Sequence, residues 1–564
     1  MRKNLDSFFH RKSIFKAKNT LFLSFLSFCT LFCGTGLRAQ ESSTQFIQGK
    51  DSLVAYHDVK GLAPSEFYKI RVRSAATNGQ WINCFANITR SLYSRLSPDV
   101  KEIKNKKEHY YPYVKDWSHT YANIEMGKNS TVEVEISAVN DTFKIKGSQF
   151  TYAAAHPARQ GESAPKVEGH KVYFTLLKAG QITIDINGQM DDTNTGNGYN
   201  GPPIHSISIF ANPIVAKPKL NDPKIEYVKP GTKPSAKLGS KTTLYFLPGV
   251  HDIGRGFKLS PNKNYYIPGD AIVYGSFNNI GGESADNVRI YGYGSLSGDR
   301  IKHPDHDPEC INGDDKGWKM IYTENCKNFR VEGISIVNSA FYTINLNTAR
   351  STTKQTFCHW LKIITWKGNG DGIGTAHEVL DCFIRTQDDC CYVKGDRKRC
   401  VFWTDVNGSV FVLAGIPTER ALVIEDCDII YPRHCSTKWN GGRVFSKRAE
   451  QAAKSGTTKV DVTFRDIRIS DKFQTLETFN LISKDGKKSS GGFSGITFKN
   501  ITSVKTPSST DNKIIGHTGG PWEDITFDNV VLGGNLIKSE SDFGTMGPNV
   551  INLNFINATE TKKK

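Results

Sequence analysis

The 564-residue chain carries 73 Lys and Arg against 56 Asp and Glu, a formal net charge of +17, with 23% charged and 38% hydrophobic residues. That length exceeds one ordinary compact domain and predicts two domains or one elongated one, and the composition excludes a disordered polyelectrolyte. With no recognisable nucleic-acid motif, a basic balance of this size describes a solvated surface or one suited to an acidic substrate.

The chain opens with a basic lead (Arg2, Lys3, Arg11, Lys12, Lys16, Lys18) and an apolar run, LFLSFLSFCTLF, over 21–32. This pattern predicts an export signal over residues 1–40, cut near Ala39 or Gln40, and hence a periplasmic or secreted protein. The run is too short for a membrane span, and no other stretch is a candidate. Cys33 follows Phe32, where a lipoprotein signal places a small residue, so a lipid anchor is the less favoured alternative. Loss of the signal removes a net +6 and leaves about +11. Of the twelve cysteines, nine fall between Cys310 and Cys435. Their spacings match no zinc pattern, and export permits disulfides, so stacked free thiols with one or two bridges are expected.

Residues 41–215 read as an antiparallel β-sandwich. Alternating strands such as EFYKIRVRS (66–74), STVEVEISAV (130–139) and KVYFTLLK (171–178) are separated by turns, with no long amphipathic helix. A proline- and lysine-rich stretch then predicts a linker over 216–239. From 240 to 557 short apolar runs recur at an irregular spacing of roughly 20–40 residues, closest in VTFRDIRIS (462–470), ITFKNITSV (496–504) and ITFDNVVLG (525–533). Strands joined by turns without helices predict a right-handed parallel β-helix, with the Asp or Asn before each apolar pair pointing inward and bonding between coils. A basic tail, 558–564, closes the chain. The fold class is therefore all-β.

The chemistry concentrates in WKGNGDGIGTAHEVLDCFIRTQDDCCYVKG, residues 366–395. Asp371 lies in a glycine-flanked turn, and the pair Asp388 and Asp389 follows about one coil later. Neighbouring coils stack roughly 4.8 Å apart, so the two turns can share one groove. Aspartate beside glycine is also an ordinary turn choice, and the three could be turn residues or calcium ligands. Three carboxylates in one groove cannot all ionise cheaply, which suits a site that needs one protonated acid. No metal or other cofactor is expected.

The NGDG turn, the QDD pair and the preceding sandwich resemble glycoside hydrolase family 49, the dextranases, and the resemblance extends to HSISIFANP (205–213), YFLPGVHDIG (245–254) and VRIYGYGSLSGDR (288–300). QDDCCYVKG is also similar to the DDC…K segment of the pectin-cleaving family 28, but no GHG turn or RIK strand follows. Two features depart from the dextranase pattern: the spacing from Asp371 to the pair is about two residues short, and VFVLAGIPTER (410–420) stands where a tryptophan-bearing turn is usual. The resemblance implies an inverting polysaccharide hydrolase. In it Asp388 is the general acid, Asp371 and Asp389 position and deprotonate water, and Lys394 steadies the pair or a sugar hydroxyl. Trp366, Trp403 and His377 are candidates for stacking on sugar rings or bonding to them. Asn369 and Gln387 are candidates for orienting the carboxylates. The loop 303–318, Trp439 and the segment 517–522 are candidate groove walls. A polysaccharide is the expected partner of a monomer. The alternatives are a polysaccharide lyase or polygalacturonase-type enzyme on the same scaffold, or a non-catalytic glycan-binding β-helix.

Overall fold

The computed structural model describes residues 43–48, 51–76, 79–90, 117–139, 150–158, 163–187, 205–311, 314–346, 355–405, 408–433, 443–447, 456–470, 477–485, 488–505 and 512–556. The expected export signal, Trp439, Cys435 and the basic tail lie outside them.

Two sheets form the N-terminal sandwich. Alternation places Ile70, Val72, Val134, Ile136, Val172 and Phe174 on one side of the five-stranded sheet, and these meet Ala122, Ile124, Ile182, Ile184, Ile207 and Ile209 of the seven-stranded sheet in one core. The expected antiparallel pairing holds with one exception: His205–Pro213 runs parallel to Ser118–Met126. After Pro213 the chain enters a 31-stranded, predominantly parallel sheet wound into the right-handed β-helix. Its first strand, Ile225–Val228, pairs with Thr243–Phe246 and so falls inside the segment expected to be a linker.

Two columns of side chains hold the coils in register. Inside, Phe464, Phe498, Phe527 and Phe555 stack at 5.2, 5.5 and 5.5 Å between ring centroids. At one corner, nine successive coils place a residue in the left-handed conformation: Gly292, Gly333, Trp360, Asp381, Arg399, Asp426, Asp466, Asn500 and Asn529. Their amides bond from coil to coil, as from Gly333 N to His359 O (2.9 Å) and from Trp360 N to Leu380 O (2.9 Å). The Asp and Asn residues expected to point inward occupy this corner instead. They tolerate positive φ, and their side chains bond along the axis, Asn500 to Asp466 at 2.8 Å and Asn529 to Asn500 at 2.9 Å.

The sandwich docks on the outer face of strands that lead towards the carboxylate turns. Trp117, Tyr121 and Phe210 of the sandwich pack with Ile364, Trp366, Phe383, Val401, Trp403 and Tyr431 of the coils. A buried polar chain crosses this seam. Arg385 Nε donates to Asp405 Oδ2 (2.8 Å), and its Nη1 donates to Ser206 Oγ (2.9 Å) and to His119 Nδ1 (3.0 Å). The guanidinium lies 3.8 Å from the Trp403 ring centroid and 4.4 Å from that of Trp366.

All nine described cysteines are free thiols, eight of them buried. The expected bridges are therefore absent among the described residues. Thiols on in-register parallel strands, such as Cys382 and Cys400, point the same way rather than at each other, and pack as small apolar groups. Alkylation of the unreduced, denatured chain followed by peptide mapping should label all nine. A reductant should move the melting temperature by less than ~1 °C, since losing a native disulfide typically costs ~2–5 kcal/mol.

Candidate active site

The register of the coils brings the carboxylates together. Ile373 pairs with Cys391, so Asp371 and Asp389, each two residues earlier, stack on adjacent coils. Gly372 N donates to Asp389 O (2.9 Å), and Cys390 N donates to Ser409 O (2.8 Å). Extending the register gives one column across six coils: Lys319, Tyr342, Asp371, Asp389, Ser409 and Arg443. Coil backbones approach closely here because two positions lack a side chain. A Cβ on Gly408 would fall 1.9 Å from the Asp388 carbonyl carbon, and one on Gly372 would fall 2.4 Å from Cys390 O.

Tyr392 ties the site. Its hydroxyl lies 3.0 Å from Asp371 Oδ2 and 3.3 Å from Asp389 Oδ2. A phenol has one proton to donate, so it bridges the two carboxylates by sharing that proton between them. Asp389 Oδ1 also accepts from Ser409 N at 2.7 Å. Asp371 and Asp389 are each 2% exposed. Asp388 differs: it is half-buried, and its Oδ1 accepts from Asp389 N at 2.9 Å. One carboxylate is thus partly exposed, next to a buried, bridged pair.

The electrostatics agree with that placement. Burial, then the charges of Asp371 and Asp389, push the Tyr392 hydroxyl well above the ordinary tyrosine range. Tyr342 is also raised, first by Asp371, then by burial, then by Asp388 and Asp389. Both phenols therefore stay protonated and able to donate. Tyr342 stacks on Phe341 at 4.5 Å, and Lys319 Nζ lies 5.4 Å from its ring centroid.

The turn before Asp371 is anchored from below. Lys367 Nζ donates to Ile301 O (3.0 Å) and to Gly298 O (3.2 Å), and the imidazole Nε2 of His303 lies 3.1 Å from Gly368 O. The start of the loop 303–318 therefore braces the turn. Half-buried Asn369 takes the left-handed conformation within it, with φ of 52°. Lys394 is half-buried, with Nζ 5.1 Å from the centroid of the Tyr392 ring.

Three expected sugar contacts lie elsewhere. Trp366 and Trp403 are buried in the seam, where Trp366 Nε1 donates to Thr89 Oγ1 at 2.9 Å and Trp403 Nε1 donates to Asp405. They sit on the coil face that the sandwich covers, so neither ring is open to a sugar. Gln387 is fully buried and donates to Asp405 Oδ2 at 3.3 Å, which makes it a support of the Asp388 turn. His377 is 7% exposed and lies past the far end of Ile373–Thr375 from Asp371, with Nδ1 3.3 Å from Thr356 Oγ1. Trp522, at the end of 517–522, is buried in the β-helix core. Among the described residues no group of three His, Cys, Asp or Glu is arranged to hold a metal ion.

The sequence alone does not single out Tyr392, Tyr342 or Lys319. Tyr392 stands three residues after Asp389 in the same stretch. Tyr342 could be found by aligning YTI (342–344) on DGI (371–373), since both lead into the same strand of successive coils.

Residues 258–411 match the family model described as Glycosyl hydrolases family 28. Among solved structures, Dex49A from Penicillium minioluteum, a family 49 dextranase, is similar over 91% of this chain and 100% of its own, with a TM-score of 0.71 and 14% identity. A polygalacturonase from Erwinia carotovora ssp. carotovora matches over 60% of this chain and 98% of its own, with a TM-score of 0.38 and 15% identity. The family 28 exopolygalacturonase of Yersinia enterocolitica matches over 93% and 96%, with a TM-score of 0.36 and 14% identity. No curated protein gives a significant match. The chain is thus similar to the family 28 glycoside hydrolases over residues 258–411 and shares the fold of the family 49 enzyme.

Removing the bridging hydroxyl with Tyr392→Phe should lower kcat ~10–100-fold with little change in KM, the scale of one hydrogen bond to a charged group. Lys367 gives a pH signature. Burial lowers its pKa from 10.5 to about 8, so between those values the unfolded chain binds more protons than the folded one. Stability relative to Lys367→Met should therefore rise with pH from about 8 to 10.5, by ~3 kcal/mol at most. Urea titrations across that range read it.

Proposed function

We propose that this β-helix glycoside hydrolase is an exported enzyme that cleaves a polysaccharide with inversion at the anomeric carbon. Asp388 protonates the leaving oxygen, and the Asp371–Asp389 pair holds and deprotonates the attacking water. The carrying observation is the Tyr392 bridge between buried Asp371 and Asp389 on adjacent coils, with the neighbouring Asp388 more exposed than either. An inverting reaction needs one acid and one base carboxylate spaced for a water between them, roughly 6.5–9.5 Å apart. A buried pair tied by a neutral donor supplies the base side, and the more exposed aspartate supplies the acid. Lys394 steadies the pair or meets a sugar hydroxyl, a role supported by its position beside the Tyr392 ring. The basic-then-apolar leader supports export.

A neutral α-glucan, cleaved as by a dextranase, is the favoured substrate. The dextranase likeness spans sandwich and β-helix together. Two cations in the column through the carboxylates are already matched, Lys319 by Asp315 at 3.3 Å and Arg443 by Glu477. A polyanionic substrate would have to compete for both.

Asp388→Asn, Asp371→Asn and Asp389→Asn should each lower kcat on dextran by ~10²–10⁴-fold. Proton NMR of the first products should show the inverted anomer. Full activity in Asp388→Asn, or retention of configuration, would sink the mechanism. Cleavage of polygalacturonate in place of dextran would sink the substrate, and ultraviolet-absorbing unsaturated products would identify a lyase.

A further inference from the structure

At the far end of the docked strands from the carboxylates, the left-handed corner column meets the sandwich around a cavity of about 580 Å³. That is within the ~300–1,000 Å³ of ordinary ligand sites. Seven of the nine corner positions hold Gly, Asn or Asp, which accept positive φ at little cost. The two exceptions are Trp360 (φ 56°) and Arg399 (φ 54°), and both line this cavity. A bulky side chain in this conformation is an outlier, and such strain collects where structure is held for a ligand. Propensity alone does not account for these residues here.

The chemistry of the walls is coherent. Half-buried Trp360 contributes an aromatic ring. Asp381, the next position in the column, takes a bidentate pair from Arg399 at 2.6 and 2.7 Å, and Asp426 follows. The sandwich supplies Lys128 and Gln181, and Gln181 Nε2 donates to Asp381 O at 3.3 Å. An aromatic ring beside fixed carboxylate, guanidinium and amide groups is the equipment that holds a sugar: the ring takes its C–H face, and the polar groups take its hydroxyls. Asp381 and Asp388 flank the strand Phe383–Thr386 on opposite ends, with the sandwich lying over its outer face, so this cavity is separate from the catalytic groove.

We propose that this cavity is a second carbohydrate-binding site, which holds a segment of the polysaccharide while another is cleaved. The proposal rests on the polysaccharide reading above. Its test is affinity gel electrophoresis of the full chain in soluble dextran, with polygalacturonate as a second gel. The informative variant is Trp360→Asn, which removes the ring while installing a residue suited to the corner. Its melting temperature should equal or exceed that of the wild type.

Trp360→Asn should lose at least ~5-fold in apparent affinity for dextran, while Trp360→Tyr keeps most of it. Hydrolysis of a short isomalto-oligosaccharide should be unchanged in both. Equal retardation of Trp360→Asn and wild type, or no retardation of the wild type in either gel, would overturn the site. If dextran is cleaved but binding ignores Trp360, the site alone fails. If Trp360→Asn loses binding to a dextran that no variant cleaves, the site stands and the hydrolytic reading fails.

Discussion

A buried guanidinium sets the geometry on which the site depends. Arg385 lies in the seam between sandwich and β-helix, and it and Asp405 are both fully buried. Burial pushes the Arg385 guanidinium down and the Asp405 carboxyl up, directions that disfavour each ion alone. Donors from Trp403 and Gln387 to Asp405 offset this, as does the flanking of the guanidinium by two indoles. On the sandwich side, burial and the Arg385 charge hold His119 neutral, so its Nδ1 accepts from Arg385 while its Nε2 meets Ser208 Oγ at 2.8 Å. Such a pair is weak evidence for stability, but removing one partner typically costs ~3–5 kcal/mol because a buried charge is stranded. The benefit is registration. Arg385 is three residues before Asp388, and a sandwich locked on Arg385 fixes where the Asp388 turn emerges.

The candidate site was legible because its chemistry is local in sequence. Asp371, Asp388 and Asp389 sit in two turns about one coil apart, and strand stacking does the rest. The β-helix was legible from the recurrence of short apolar runs. What was hidden is which outer face the sandwich covers. Trp366 and Trp403 alternate outward, and on a bare coil they would meet solvent and substrate. Only the docked Trp117, Tyr121 and Phe210 turn them into interior. Arg385 in CFIRTQ was the available hint, a charge inside an apolar strand that needs a buried partner.

The corner residues show the same limit at smaller scale. Their Asp and Asn preference is visible in VTFRDIRIS and ITFKNITSV, where alternation alone predicts inward ladders. Backbone conformation explains it better, since these side chains sit where the chain turns with positive φ and bond along the axis. The thiols erred the other way: a secreted context suggested bridges, yet parallel in-register strands aim neighbouring thiols alongside one another. In both cases a compositional expectation gave way to the directionality of the coil.

The docked sandwich also divides the solenoid into two mechanical parts. In a stacked-repeat protein each coil leans mainly on its neighbours, so opening can begin at a free end and travel inward. Among the described residues, the packing clusters and hydrogen bonds that join sandwich to coils end at Tyr431 and Arg385, and the strands from Phe445 to Ile556 rest on one another. The last strand, Val550–Ile556, is largely exposed. Fraying from that end therefore meets a clamp before it reaches Asp388. The order of loss is built into the fold: the terminal coils act as a sacrificial stack, and the carboxylate turns lie on the side of the clamp that opens last.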